Sequence, residues 1–437
     1  MASMNDTIFA LATGSMPCAV AIVRVSGPAA RDCALALCGS LPPAREATYA
    51  SIRAPGSDNL IDHGIIIFFP GPRSFTGEDC LELQVHGSRA VVALLLRCLA
   101  ELHGCRLAEP GEFIRRAFEF GKLPLTSVEG LADLIDARTE LQRQQSLAQA
   151  GGRLAARANI WRGKLLEARA LLEAEIDFAD EGEAPSDVLP HVRTTCAELI
   201  QELDHALLDA TRGERIRSGF HVVIAGPPNA GKSSLMNALV RRTVSIVTQH
   251  AGTTRDVIQV ELDLDGFPVV LSDTAGLRDT EDPVEAIGVE LSRTALSAAS
   301  LVVMLTDAQA DRPMPLSGPA KVLMVASKCD LAPSPLWAEV GISTVTGAGL
   351  DALIARMAKE VSTQLGGEPA LVTHERQRQL IKLAAADLKC ALGQSELPVE
   401  LFAEELRRAT RHLESMVGLL DSDAVLGEVF SRFCMGK

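Results

Sequence analysis

Phosphate chemistry is the first thing this chain offers. The run Gly226-Pro-Pro-Asn-Ala-Gly231-Lys232-Ser233 follows the apolar stretch His221–Ala225 and precedes a helix expected to begin near Ser234. Strand, glycine loop and helix in that order are the context in which GxxxxGK[ST] wraps a nucleotide. Glycines let backbone N–H groups approach the phosphates closely. The Lys232 ammonium supplies a point charge to the β- and γ-phosphates, and the Ser233 hydroxyl can reach Mg2+. The helix N-terminus adds favourable partial charge for the anion. Asn229, Ala230 and Ser234 belong to the same cradle.

Three further elements follow in order. Gly252-Thr253-Thr254-Arg255-Asp256 falls where a Thr commonly reaches the metal. Asp273-Thr274-Ala275-Gly276 comes after a strand, where a carboxylate holds Mg2+ through water. Ser327-Lys328-Cys329-Asp330 ends another strand. A carboxylate there accepts from guanine N1–H and N2–H2, a pattern adenine does not offer, so Asp330 is the expected guanine selector. Later, Ser343-Thr344 offers the Thr344 amide to guanine O6. Asp-x-x-Gly alone is weak, but four elements in order on the right secondary structure specify a GTP-binding domain. Leu277 follows the Asp-Thr-Ala-Gly motif, so no Gln orients the attacking water there. Glu285 or a cation is expected to do so, with a solvated loop carboxylate as the plain alternative for Glu285.

The elements that must position these groups fall into compositional zones. At roughly 150 residues per domain, 437 residues suggest about three domains. Up to about residue 118, short apolar runs alternate with Gly/Pro turns: Ala19–Val23, Gly64–Phe69 and Cys80–Val85 are expected strands, and Val91–Leu102 a helix. From Ser127 to about Arg217 the chain turns Ala/Leu/Glu/Arg-rich, predicting long helices broken at Gly151-Gly152, Gly163 and Gly182. From Gly219 to about Val361 short apolar runs (Phe267–Leu271, Leu301–Leu305, Val322–Ala326) alternate with helical stretches, the pattern of a parallel sheet covered by helices. Helical composition returns from His374, so the α/β module is expected to be an insert in one helical region. The Arg-rich stretch Arg138–Arg169 is either a solvated helix face or a docking surface for RNA or a partner.

Composition excludes several classes. The net charge of −14 argues against coating nucleic acid by charge alone, and 4% aromatic residues with a single Tyr argue against broad base-stacking surfaces. None of the 10 Cys forms a CxxC pair, so reduced thiols are expected rather than a zinc site. No apolar run reaches the roughly 18 residues of a membrane span, and no basic start precedes an apolar core, so a cytoplasmic protein without a membrane partner is expected.

At this point the residues resemble a family. Gly226–Asn237, Ile246-Val247-Thr248 leading to Ala251–Asp256, and Asp273–Arg278 are similar to the MnmE (TrmE) tRNA-modification GTPases. So are Ala21–Gly27, Ser74–Asp79 with Leu81-Glu82-Leu83, Pro110–Phe113, Arg116-Ala-Phe118, Lys122, Leu131–Asp136 and the terminal Phe433-Cys-Met-Gly-Lys437. The resemblance spans essentially the whole chain. It implies an α/β multidomain fold: an N-terminal folate-binding and dimerisation domain (1–118), a discontinuous all-α domain (119–217 and 368–437), and an inserted Ras-like G domain with a mostly parallel sheet (218–367).

The resemblance also implies a homodimer that works with a flavoprotein, MnmG, in a heterotetramer. The pair would install an aminomethyl-type group, aminomethyl or carboxymethylaminomethyl, at C5 of the tRNA wobble uridine. The carbon would come from a tetrahydrofolate derivative, the 5,10-methylene or formyl form. By the same resemblance Asn229 binds K+ with Thr248, His250 and Thr253 of the loop Thr248-Gln249-His250-Ala251-Gly252-Thr253. Ser233 and Thr254 ligate Mg2+, and Glu285 orients or activates the water. Arg24, Glu82, Lys122 and Lys437 contact folate, while Cys434 acts in the modification chemistry or is a positioned, inert thiol. Two departures stand out. Met16-Pro-Cys-Ala19 replaces a Gly-rich stretch, and Ser327 replaces an Asn, a shorter reach that predicts weaker nucleotide affinity. The alternatives are a regulatory GTPase switch, for example in ribosome assembly, with no one-carbon chemistry, and a one-carbon enzyme whose G domain is only structural.

Overall fold

The computed structural model describes residues 6–178, 188–242, 259–273, 299–313, 320–393, 397–420, 427, 429–431, 433 and 436. The chain divides into two compact units, residues 1–132 with 414–437, and residues 133–413.

The first unit is built on a six-stranded sheet of β1 (Thr7–Leu11), β2 (Cys18–Ser26), β3 (Thr48–Arg53), β4 (Leu60–Phe69), β5 (Cys80–Gly87) and β6 (Cys105–Leu107), in the order β3-β4-β5-β2-β1-β6. Neighbours are antiparallel except β1 and β6. Period-2 alternation puts Val23, Val25, Leu81, Leu83 and Ile66 on one face. There α1 (Ala30–Cys38) and α2 (Arg89–Glu101) bury Ala34, Leu37, Val92, Leu95 and Leu99 against them. Each such Val or Leu side chain contributes about 1.5–3 kcal/mol when fully buried. The opposite face carries Tyr49, Ile65, Gln84, Glu82 and Arg24. It leaves Tyr49 72% and Ile65 40% exposed. Ile114 of α3 (Glu112–Glu119) and Val128 and Ala132 of α4 (Leu125–Asp136) pack with Phe430 and Phe433, so the C-terminal end of the chain belongs to this unit's core.

The second unit contains a sheet of β7 (Phe220–Ala225), β8 (Gln259–Leu264), β9 (Phe267–Asp273), β10 (Leu301–Asp307), β11 (Lys321–Ser327) and β12 (Val340–Gly341), ordered β12-β11-β10-β7-β9-β8. All its pairs are parallel except β8 with β9. β7 and β10 are almost continuously apolar because both faces are buried. α8 (Lys232–Arg242) and α9 (Leu350–Leu365) cover one face through Leu235, Leu239, Leu353, Met357 and Val361. Helices flank this sheet in the chain: α5 (Glu140–Ala150), α6 (Arg153–Phe178) and α7 (Val188–Ser218) before it, α10 (Glu375–Gly393) and α11 (Val399–Val417) after it. The sheet is therefore an insert in a discontinuous helical region.

One detail differs from the sequence reading. α6 runs unbroken through Gly163. An interior Gly costs about 1 kcal/mol relative to Ala, and the burial of Trp161, Leu165, Ala168 and Leu172 outweighs that. The Arg-rich stretch is largely neutralised: Arg143 pairs with Glu140, Arg157 and Lys164 both with Glu202, and Arg169 with Glu173. Among the described residues no helix is long and apolar enough to cross a membrane.

The strap 366–374 returns the chain from α9 to α10, and its carbonyls are met by side chains. Gln149 Nε2 donates to Leu371 O at 2.6 Å, Arg153 Nη1 to Pro369 O at 2.7 Å and Arg217 Nε to Thr373 O at 3.1 Å. Gly213 of α7 lets the strap lie close, since a Cβ there would fall 2.1 Å from Val372 O. Helix propensity alone favours Gly213→Ala by about 1 kcal/mol, whereas overpacking costs about 1–3 kcal/mol. Gly213→Ala is expected to lower the thermal midpoint, and a rise on calorimetry would show that the close approach does not constrain the strap.

Candidate functional site

The phosphate loop hangs between two fixed points, the end of β7 at Ala225 and the start of α8 at Lys232. Gly226 lies against the neighbouring strand, where a Cβ would sit 2.0 Å from Leu305 O. Asn229 adopts a left-handed conformation, φ 63°, and its side chain is exposed. Lys232 Nζ folds over the loop mouth, donating to the Gly226 and Pro227 carbonyls at 3.0 and 3.1 Å. Strand pairing delivers the acid: Asp273 ends β9 opposite Ile224 of β7. Its Oδ2 accepts from Ser233 Oγ at 2.9 Å. A hydroxyl and a carboxylate converging at the head of a helix are hard oxygen donors, and they fit Mg2+.

The guanine segments sit at the same C-terminal edge of the sheet, where ligands bind in open α/β folds. Ser327 ends β11 in register with Asp307 of β10, and its buried Oγ donates to Thr306 O at 3.3 Å. Lys328, with φ 58°, pairs with Asp307 at 2.9 Å. That bond, the Gln309 amide and the Lys328 charge hold the Asp307 carboxyl below its ordinary range. Cys329 N donates to Ile342 O at 3.0 Å. Ser343 Oγ accepts from the Val345 and Thr346 amides, which fixes the turn containing Thr344. Asp330 is exposed.

In the first unit, Arg24 and Glu82 face each other across β2 and β5 on the open sheet face, with Arg24 Nη2 3.0 Å from Glu82 Oε1. The Arg24 guanidinium lies 5.5 Å from the Phe75 ring and 5.9 Å from Phe113. Lys122 packs on the same loop as Phe75, its Cε 3.3 Å from where a Gly77 Cβ would be. Gly436 lies against Leu11 and Ala12 at the end of β1, beside β2. The structure thus brings Arg24, Glu82 and Lys122 to one region. Thr248, Gln249, His250, Ala251, Gly252, Thr253, Thr254, Thr274, Ala275, Gly276, Glu285, Cys434 and Lys437 lie outside the described residues.

The sequence reading missed the buried network behind this face. Arg116 Nη1 donates to Glu78 Oε1 at 3.0 Å and its Nη2 to Glu112 Oε1 at 3.2 Å. Arg106 joins Glu112 at 2.5 Å, and Ser26 Oγ donates to Glu78 Oε2 at 2.8 Å. The i,i+4 spacing of Glu112 and Arg116 was visible, but Glu78 is distant in sequence and nothing local ties it to them. Burial pushes the Glu112 carboxyl up. Hydrogen bonds from Arg106 and the Glu109 amide, with the charges of Arg106 and Arg116, outweigh burial and hold it below 4.5.

Among the described residues no cluster of three or more His, Cys, Asp or Glu could hold a metal ion. A cavity of about 350 Å³ lined by Arg138, Gln142, Arg217, Glu261 and Asp263 shares no residue with either site. Its opposed charges meet each other, as in the Arg138–Glu261 ion pair.

Comparison with known proteins gives matches over nearly the whole length. A family model described as the MnmE helical domain matches residues 125–434, and one described as the GTP-binding protein TrmE N-terminus matches residues 7–122. The tRNA modification GTPase MnmE of Azorhizobium caulinodans is 49% identical over 438 residues, all of both chains. Proteins of the same name from Rhodopseudomonas palustris and Sinorhizobium medicae are 49% and 47% identical over 99% of both chains.

Two outcomes follow from the geometry. Gly226→Ala forces the loop off the Leu305 carbonyl, and a displacement worth about 1.4 kcal/mol weakens nucleotide binding about tenfold; unchanged titration of a fluorescent GDP would refute the contact. Glu112 has a depressed folded pKa, so its stabilisation is present above about pH 4.5 and is lost as pH falls through the lower folded value. Glu112→Gln should lower the thermal midpoint at pH 7, and the gap to wild type should close as pH falls below about 4.5. A gap independent of pH would remove the ionic role.

Proposed function

This chain belongs to the MnmE family of tRNA modification GTPases, and from that premise we propose how its two sites divide the work. It is a GTPase acting in tRNA modification and uses GTP and Mg2+. In the proposal, Lys232 neutralises the β- and γ-phosphates, Ser233 and Thr254 ligate Mg2+, and Asp273 holds it through water. Asp330 reads guanine, and Lys328 is steadied by Asp307. The Ser233–Asp273 contact at 2.9 Å is the observation that carries this reading, because it joins the two metal-side groups across neighbouring elements.

Catalysis of hydrolysis is assigned to Glu285, orienting or activating the water, and to a K+ ion held by Asn229 with Thr248, His250 and Thr253. A monovalent cation there would stabilise charge that develops between the phosphates. The exposed, left-handed Asn229 supports this, since its amide oxygen is free to turn toward an ion at the loop mouth.

The first unit is assigned to one-carbon chemistry. Arg24 and Lys122, with Lys437, suit the carboxylates of a tetrahydrofolate derivative, and Glu82 can accept from a pterin N–H edge. The bound folate would supply the carbon for an aminomethyl-type group at C5 of the tRNA wobble uridine, with a flavoprotein, MnmG, as partner. Cys434 is assigned to this step and follows Phe433, which the first unit buries. The apolar open face bearing Tyr49, Ile65 and Val20 supports homodimerisation through this unit. The domain limits proposed with this scheme are 1–118, 119–217 with 368–437, and 218–367. A cytoplasmic location goes with it.

The test uses purified chain, flavoprotein, unmodified tRNA, a tetrahydrofolate derivative and GTP, in KCl and NaCl at equal ionic strength. GTP hydrolysis should be faster in KCl for wild type but not for Asn229→Ala, and mass spectrometry of the tRNA should show C5 addition only with folate present. Equal hydrolysis in both salts would sink the cation assignment. Modification without folate would sink the donor assignment.

A further inference from the structure

We infer that Cys33 and Cys105 form a reversible oxidation site, a dithiol that a low-molecular-weight disulfide of the glutathione type converts to an intramolecular disulfide. The two are separated by 72 positions in sequence, yet their sulfurs lie 3.5 Å apart. That is van der Waals contact between two unbonded sulfurs. Cys33 is buried in α1, while Cys105 opens the edge strand β6 and is partly exposed. The pair therefore has one sulfur that solution reagents reach and one that they do not.

The two thiols are electrostatically unequal. Hydrogen bonding from Cys33 holds Cys105 below the ordinary thiol range, against the upward pull of burial and Asp32. The same bond, then burial, pushes Cys33 up. Cys38, Cys80 and Cys196 sit in other surroundings. Cys38 and Cys196 are pushed up by burial to about 11 and about 12. Cys80 is engaged with Thr76 and Ser26.

The steps balance. Cys105 thiolate attacks one sulfur of the small disulfide, forming a mixed disulfide and releasing one thiolate. The Cys33 sulfur then attacks the Cys105 sulfur and its proton passes to the departing small-molecule thiolate, which leaves as the second thiol. The protein is oxidised by two electrons and the small disulfide is reduced to two thiols. The crosslink ties α1 to a strand of three residues at the sheet edge. It lies far in sequence from the glycine loop and touches no residue assigned to nucleotide.

The full-length protein is incubated with excess oxidised glutathione, its free thiols are alkylated, and peptides are mapped without reduction. The expected result is a Cys33–Cys105 crosslinked peptide, loss of two thiols per chain, reversal by dithiothreitol and an unchanged rate of GTP hydrolysis. In Cys33→Ser the expected product is glutathione retained on Cys105. Glutathione left on Cys105 of the wild-type chain, or a Cys105 no more reactive than exposed Cys390, would overturn the inference and leave a packing contact. The wild-type map decides the matter even if a variant folds poorly.

Discussion

The second unit depends on the close approach of Val372 O to the Gly213 backbone. A sheet inserted into a helical region needs two chain crossings side by side, one in and one out. The entry is stiff, because α7 runs to Ser218 and β7 starts at Phe220. The exit is a strap without helix or strand partners, and its carbonyls must be bonded or solvated. Gln149, Arg153, Arg212 and Arg217 supply those bonds from the surrounding helices. A side chain at 213 would hold the strap off and break several of them at once. The third attachment is the β8–β9 hairpin, whose Gly266 O accepts from Leu141 N at 3.1 Å while Glu261 pairs with Arg138. Because β9 runs from this hairpin directly to Asp273, the grip of α5 and the position of the metal-side carboxylate are set by one strand of seven residues.

Charge in this chain is placed rather than accumulated. An acidic protein of net charge −14 handles polyanions only through local cations that its own carboxylates do not quench. Most of the arginines between positions 138 and 169 fail that condition, since Glu140, Glu173, Glu202, Glu261 and Glu368 bind them. Lys232 meets it, because its partners are carbonyls, which a phosphate displaces without leaving a buried carboxylate unpaired. The distinction is invisible in a count of Lys and Arg.

Much of the architecture was legible because the strongest signals are local. The apolar runs at 221–225, 301–305 and 322–326 became β7, β10 and β11, buried on both faces as continuous runs require. The alternating strand β8 was not named. Gln259–Leu264 buries Val260, Leu262 and Leu264 and turns Glu261 and Asp263 outward, an amphipathic edge pattern that is faint beside its neighbours. Gly163 misled in the opposite direction, since a residue that breaks an isolated helix is absorbed when flanking positions are buried. The phosphate loop could be read whole. The contacts that fix it, Gly226 with Leu305 and Lys328 with Asp307, come from strand neighbours that only the sheet order defines. The Cys33–Cys105 contact has the same character.

The first unit separates two uses of arginine that sequence alone treats alike. Arg116 is buried with Glu78 and Glu112, and removing any member would leave an uncompensated charge at a cost of about 3–5 kcal/mol. That pairing fixes the loop 74–79 from behind, through Glu78. Arg24 pairs with Glu82 on the open face, where both are half-buried. Phe75, on the loop that Glu78 anchors, lies beside the Arg24 guanidinium. The buried pair therefore holds the wall behind the half-buried Arg24–Glu82 pair. Exchanging their environments would leave the composition unchanged and destroy both functions.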